Sequence, residues 1–115
     1  MAKRPLERFR GFCLELPEAY EEQTWGQATF RVRKKIFAMT MSGEGGITVC
    51  MKAHREDQLA MLAQGEPFLS PPYLGPKGWI GIDLVAKQLD WVEVSELVRE
   101  SYRLVAPKGL SALIN

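Results

Sequence analysis

Residues 29–55 read T-F-R-V-R-K-K-I-F-A-M-T-M-S-G-E-G-G-I-T-V-C-M-K-A-H-R, and this stretch decides the fold. From Ala28 to Arg33 the side chains alternate, with Phe30 and Val32 on one side and Arg31 and Arg33 on the other, which is the period of a half-buried strand. Lys34-Lys35 reads as a tight turn into a strand over 36–42. Gly43-Glu44-Gly45-Gly46 reads as a second turn, rich in residues that accept positive φ. Ile47, Val49 and Met51 then point one way along a strand over 47–52. The stretch is therefore two consecutive β-hairpins. It also concentrates charge: Arg31, Arg33, Lys34, Lys35, Lys52 and Arg55 face Glu44 as the only acid, a net +5. Residues 56–102 sum to −5, so the overall +1 conceals a dipolar chain.

Helical spacing flanks the hairpins. Leu6, Phe9, Phe12, Cys13 and Leu16 form one stripe between Pro5, suited to a first helical turn, and Pro17, which stops the helix near residue 16. Thr24-Trp25 finishes a short first strand before Gly26. Residues 56–64 predict a short helix with Leu59, Leu62 and Ala63 inward, ended by Gly65. Residues 67–78, with four prolines and two glycines, predict an irregular loop. Trp79–Val85 resumes as a strand with Ile80, Ile82 and Leu84 on one face. Asp90 and Glu93 have the spacing of an N-terminal capping box. The helix they open carries Val94, Leu97, Val98, Ser101, Tyr102 and Val105 along one stripe, and Pro107 ends it. The expected class is α+β, a single domain over residues 1–115: an N-terminal helix, an antiparallel meander with helices on one face, and a C-terminal helix.

Composition excludes several alternatives. An apolar fraction of 46% and a charged fraction of 25% are those of a globular chain. At 115 residues folding buries roughly 65% of the chain's surface, enough for one core. Cys13 and Cys50 form no ligand-spaced group, which fits reduced thiols used as small core residues. The basic N-terminus leads into an amphipathic segment and not a secretory signal, and no run approaches the ~20 apolar residues of a membrane span. A cytoplasmic protein with no membrane partner and no cofactor is the expectation.

The candidate sites are two. The bases Arg31, Arg33, Lys34, Lys35, Lys52 and Arg55 on a β-ribbon suit contact with phosphates. The same residues also suit a solvated sheet face, on which lysine blocks edge-to-edge pairing. The proline-rich loop offers Tyr73 and Trp79, with Trp25, either as a partner-binding surface or as aromatics closing the core. His54 is the only histidine and has no ligand-spaced neighbours, so no metal site is expected. Ser101, Tyr102 and Asp83 form no recognisable nucleophile–base motif, and Gly-x-Ser-x-Gly is absent. Ser101 is expected at a tight helix contact and Tyr102 over the core with its hydroxyl outward. The chain is expected not to be an enzyme and to have no catalytic residues.

Four pieces in order, L-P-E-A-Y-E-E-Q-T-W-G-Q-A-T-F-R-V-R-K-K-I-F-A from Leu16, P-P-Y-L-G-P-K-G-W-I-G-I-D-L from Pro71, D-W-V-E-V from Asp90 and S-Y-R-L-V-A-P-K-G-L from Ser101, resemble the MmcQ/YjbR family of small bacterial proteins. The resemblance covers about residues 6–110. It implies a compact α+β domain with the double-wing arrangement of the CyaY-like group. It also implies DNA as the partner of a non-enzymatic module, a label that rests on fold analogy. A chaperone-like or adaptor protein using the open sheet face and the Pro/aromatic loop is the alternative. Relatives often have glycine in the first hairpin turn. Lys34-Lys35 there implies strain or a longer loop.

Overall fold

The computed structural model describes residues 4–41, 47–87 and 89–114. Helix α1 (Pro5–Leu14) leads into strands β1 (Tyr20–Thr24), β2 (Gln27–Val32), β3 (Lys35–Met41) and β4 (Thr48–Lys52). Helix α2 (Arg55–Gln64) follows, then β5 (Phe68–Leu69), a 3₁₀ turn (Gly75–Lys77) and β6 (Trp79–Asp83). Helix α3 (Trp91–Val105), a short α4 (Lys108–Ser111) and a second 3₁₀ turn (Ala112–Ile114) complete the order. The six strands form one antiparallel sheet in the order β1-β2-β3-β4-β6-β5. The α+β architecture is as expected.

Alternation builds the core. Phe30, Val32, Val49, Met51, Ile80 and Ile82 point to one face and meet Phe9 and Cys13 of α1, Met61 of α2, and Val94, Val98 and Tyr102 of α3. Each of these aliphatic and aromatic side chains contributes roughly 1.5–3 kcal/mol on full burial. Asp90 caps α3 as its spacing implied, its Oδ1 accepting from the Val92 N–H at 2.9 Å and the Glu93 N–H at 3.3 Å. Cys50, between Val49 and Met51, points to the other face. It lies across from Met39 and Gly81 and is nevertheless fully buried. Both thiols are free, and burial pushes Cys50 up to about 12 and Cys13 well above the ordinary thiol value.

Four local expectations change. The first hairpin turns one residue early: Val32 pairs with Lys35, and the turn residues are Arg33 and Lys34, at φ 50 and 71. Both central residues with positive φ mark a type I′ turn, whose twist matches the flanking strands, so strand geometry outweighs the dislike of lysine and arginine for that region. Arg33 thus leaves the strand face it was assigned to share with Arg31. Trp25 likewise belongs to a turn, with Gly26, after a full five-residue β1. The proline-rich segment is not wholly irregular, because Phe68 and Leu69, between Pro67 and Pro71, pair with Ile82 and Gly81. On α2 the buried residues are Gln58 and Met61, whereas Leu59 and Ala63 are exposed. The second predicted turn, over residues 43–46, lies outside the described residues.

Candidate nucleic-acid interface

Strand direction decides where the bases go. In an antiparallel sheet, consecutive hairpin turns emerge from opposite ends. The β2–β3 turn, the last residue of β4 and the first of β6 share one end; the β1–β2 turn, the start of β4 and the close of β6 share the other. Arg33, Lys34 and Lys35 arrive at the first end through the turn, and Lys52 and Arg55 arrive there because β4 runs into α2. The two parts of the basic stretch therefore converge.

Lys35, Lys52 and Trp79 sit on the three adjacent strands β3, β4 and β6, within roughly 10 Å at the usual strand spacing. Together with Ile36 and with Leu104 and Val105 from the last turn of α3, they line an open groove of about 210 Å³. Behind the groove the sheet is spliced by a side chain. Ser101 Oγ donates to the Phe37 carbonyl at 2.5 Å and accepts from the Lys52 N–H at 2.9 Å, filling the gap where β3 and β4 stop pairing. Phe37 is the extra residue of a bulge, since Phe30 pairs with Ala38 and Arg31 with Ile36. Ser101 is thus more than a helix contact. Tyr102 is fully buried, and its hydroxyl donates to the Pro17 carbonyl at 2.7 Å at the rim of the core, close to Glu18 and Arg33.

The arginines are held differently from the lysines. Arg31 donates to Thr29 Oγ1 (3.1 Å), Thr24 Oγ1 (2.9 Å) and the Lys34 carbonyl (3.2 Å), and pairs with Glu22 at 3.2 Å. Its side chain is largely covered, so it supports the turn from within. Arg33 makes two bonds to Glu18, at 2.7 and 3.0 Å. That pairing holds the Glu18 carboxyl below, and the Arg33 guanidinium above, their ordinary values. Arg55 donates to Gln58 Oε1 at 3.2 Å and stands beside the acids Glu56 and Asp57 of the first turn of α2. Lys34 and Lys35 are exposed. His54 precedes α2 without a side-chain capping bond, and its Nε2 meets Glu100 Oε1 at 2.6 Å.

The loop before β6 leaves the sheet at the same end. Gln58, 1% exposed, donates from Nε2 to the carbonyls of Gly75 (2.7 Å) and Trp79 (3.0 Å). This explains why a glutamine takes the inward position on α2: buried carbonyls of an irregular loop need a donor, and leucine has none. A Cβ on Gly75 would come within 2.3 Å of Ser70 Oγ, so a larger residue there would require the Ser70 side chain to turn away. On this anchored loop Tyr73 projects into solvent, 91% exposed and at φ 65. Trp25, 79% exposed, stands at the opposite end of the sheet, so the three aromatics do not form one surface. No sequence signal marked Ser101, Glu18 or Gln58, because their partners are backbone groups or side chains distant in the chain.

Among the described residues no group of three His, Cys, Asp or Glu side chains gathers to hold a metal ion. No helix there is long and apolar enough to cross a membrane.

Comparison with known proteins fits this picture. The YjbR family model matches residues 14–104. The crystal structure of protein DR2400 of Deinococcus radiodurans, which carries a DUF419 domain, superposes with a TM-score of 0.77 at 23% identity, covering 94% of this chain and 85% of that one. That likeness establishes a shared fold. No curated protein matches the chain.

Proposed function

The chain belongs to the YjbR family, and on that premise we propose that it is a non-enzymatic nucleic-acid-binding module that meets phosphates through the basic end of its sheet. One observation carries this reading: Lys34, Lys35, Lys52 and Arg55, separated by up to 21 positions in the chain, are delivered to the same end of the sheet by strand direction. Lysines on mobile stems suit phosphate contact without base readout. Arg31 and Arg33, bonded to Glu22 and Glu18, shape the wing and leave the contact to the lysines. The commitment of the Ser101 hydroxyl to two backbone groups supports the non-enzymatic part of the reading.

Retention on a duplex-DNA or heparin column at low salt tests the proposal. The parent should be retained, and Lys34→Glu/Lys35→Glu should elute early. With two to four phosphates neutralised, log affinity should fall against log salt with a slope of about −2 to −4. Equal and early elution of both proteins rejects the proposal.

A further inference from the structure

Tyr73 is the side chain that the phosphate-contact reading does not use. An aromatic residue at positive φ costs on the order of 1 kcal/mol or more, and nothing in the core repays it, since the ring is in solvent. The loop that imposes this conformation is firmly held. The Leu74 N–H donates to the Pro72 carbonyl at 2.7 Å and the Gly75 N–H to the Pro71 carbonyl at 2.8 Å, on either side of the tyrosine. The Ala53 N–H bonds the Gly78 carbonyl at 3.0 Å, and Gln58 grips the loop from below. Two prolines precede the residue and limit the freedom of the backbone that presents it. The backbone that presents the ring is thus held in place.

Its neighbourhood distinguishes it from the other exposed aromatic. Trp25 lies in a span, residues 11–30, that holds four acids and no lysine or arginine. Tyr73 stands at the end of the sheet that carries Lys34, Lys35, Lys52 and Arg55, and its own loop adds Lys77. Arg55 is tied to that loop through Gln58, which it touches with one end of the amide while the other end holds Gly75 and Trp79. An exposed ring on a held backbone, at the same end of the sheet as several cations, is the pairing used to bind unpaired strands: the cations follow the backbone, and the ring stacks on a base. Stacked bases in a duplex present no free face to a projecting ring.

We infer that the ligand is a single strand of nucleic acid, with phosphates on Lys35 and Lys52 along the groove and a base stacked on Tyr73. This rests on the phosphate-binding reading and specifies its substrate class. A purely electrostatic surface would favour duplex, which has the higher charge density. A stacking surface reverses that order.

Fluorescence anisotropy with a labelled oligothymidylate and with a duplex of equal length separates the two. The parent should bind the single strand more tightly. Tyr73→Gly, which suits positive φ and removes only the ring, should weaken single-strand binding roughly 5- to 150-fold and leave duplex binding unchanged. Tyr73→Phe should restore it, and a melting temperature no lower than the parent's for the glycine variant would show that the fold is intact. If Tyr73→Gly binds the single strand like the parent while Lys34→Glu/Lys35→Glu loses it, stacking is overturned and phosphate contact stands. Tighter binding of the parent to duplex also overturns the inference. Failure of the parent to bind either nucleic acid overturns both readings.

Discussion

The sheet carries two hairpin turns of the same geometry at its opposite ends, and they are filled differently. Between β1 and β2 the turn residues are Trp25 and Gly26, at φ 54 and 76; between β2 and β3 they are Arg33 and Lys34, at φ 50 and 71. The first has glycine at its second position, where the left-handed conformation is free of steric cost. The second places a long cationic side chain there and accepts roughly 1 kcal/mol of strain. It is then braced: Arg33 is fastened to Glu18, itself at φ 59, and the Lys34 carbonyl accepts from Arg31. A turn that could have been glycine is instead strained and supported, and the side chains so displayed are basic. That contrast is consistent with the proposed contact surface.

Four variants would break or sharpen the contrast. The largest effect is expected behind the basic end. Ser101→Ala removes only the hydroxyl and leaves the Phe37 carbonyl and Lys52 N–H without that partner, so urea unfolding should show a loss of about 2–4 kcal/mol. A loss near zero would mean that β3 and β4 can close without the hydroxyl. Next come the turns themselves, where equivalent positions should respond with opposite sign. Gly26→Ala should cost about 1 kcal/mol, whereas Lys34→Gly should stabilise the fold by about 0.5 kcal/mol while weakening retention on nucleic acid. Matching signs in denaturant titrations would refute the claim that the second position is strained in the basic turn and unstrained in the other.

The smallest effect concerns the brace. Arg33 lowers the Glu18 carboxyl chiefly by hydrogen bonding, so Arg33→Gln should return that carboxyl toward its ordinary value in an NMR titration. A carboxylate depressed in the folded state adds stability above its unfolded pKa and loses it as pH falls through the folded value. The variant should therefore show less stability lost in acid than the parent. An unmoved Glu18 titration would indicate that the pair does not persist in solution.

Much of the fold was legible because it depends on periodicity. The stripes of α1 and α3, the alternation of β2, β4 and β6, and the Asp90 cap are local patterns, and each is where its spacing placed it. The turn at Arg33-Lys34 was missed by one residue because the bulge at Phe37 shifts the pairing, and a bulge leaves no composition signal. The α2 face was misread because Gln58 serves carbonyls 17 and 21 residues away. Of the candidate bases, the lysines remain displayed, while both arginines of the first hairpin are engaged by glutamates whose proximity no spacing rule reveals.

The sequence by itself determined the element types, the buried stripe of each element and the concentration of positive charge in residues 29–55, since these follow from side-chain chemistry read a few residues at a time. Only the tertiary structure decided that Lys34, Lys35, Lys52 and Arg55 share one end of the sheet with Tyr73, and that Trp25 does not. That distinction is a matter of strand direction and pairing order, which arise from contacts between residues far apart in the chain.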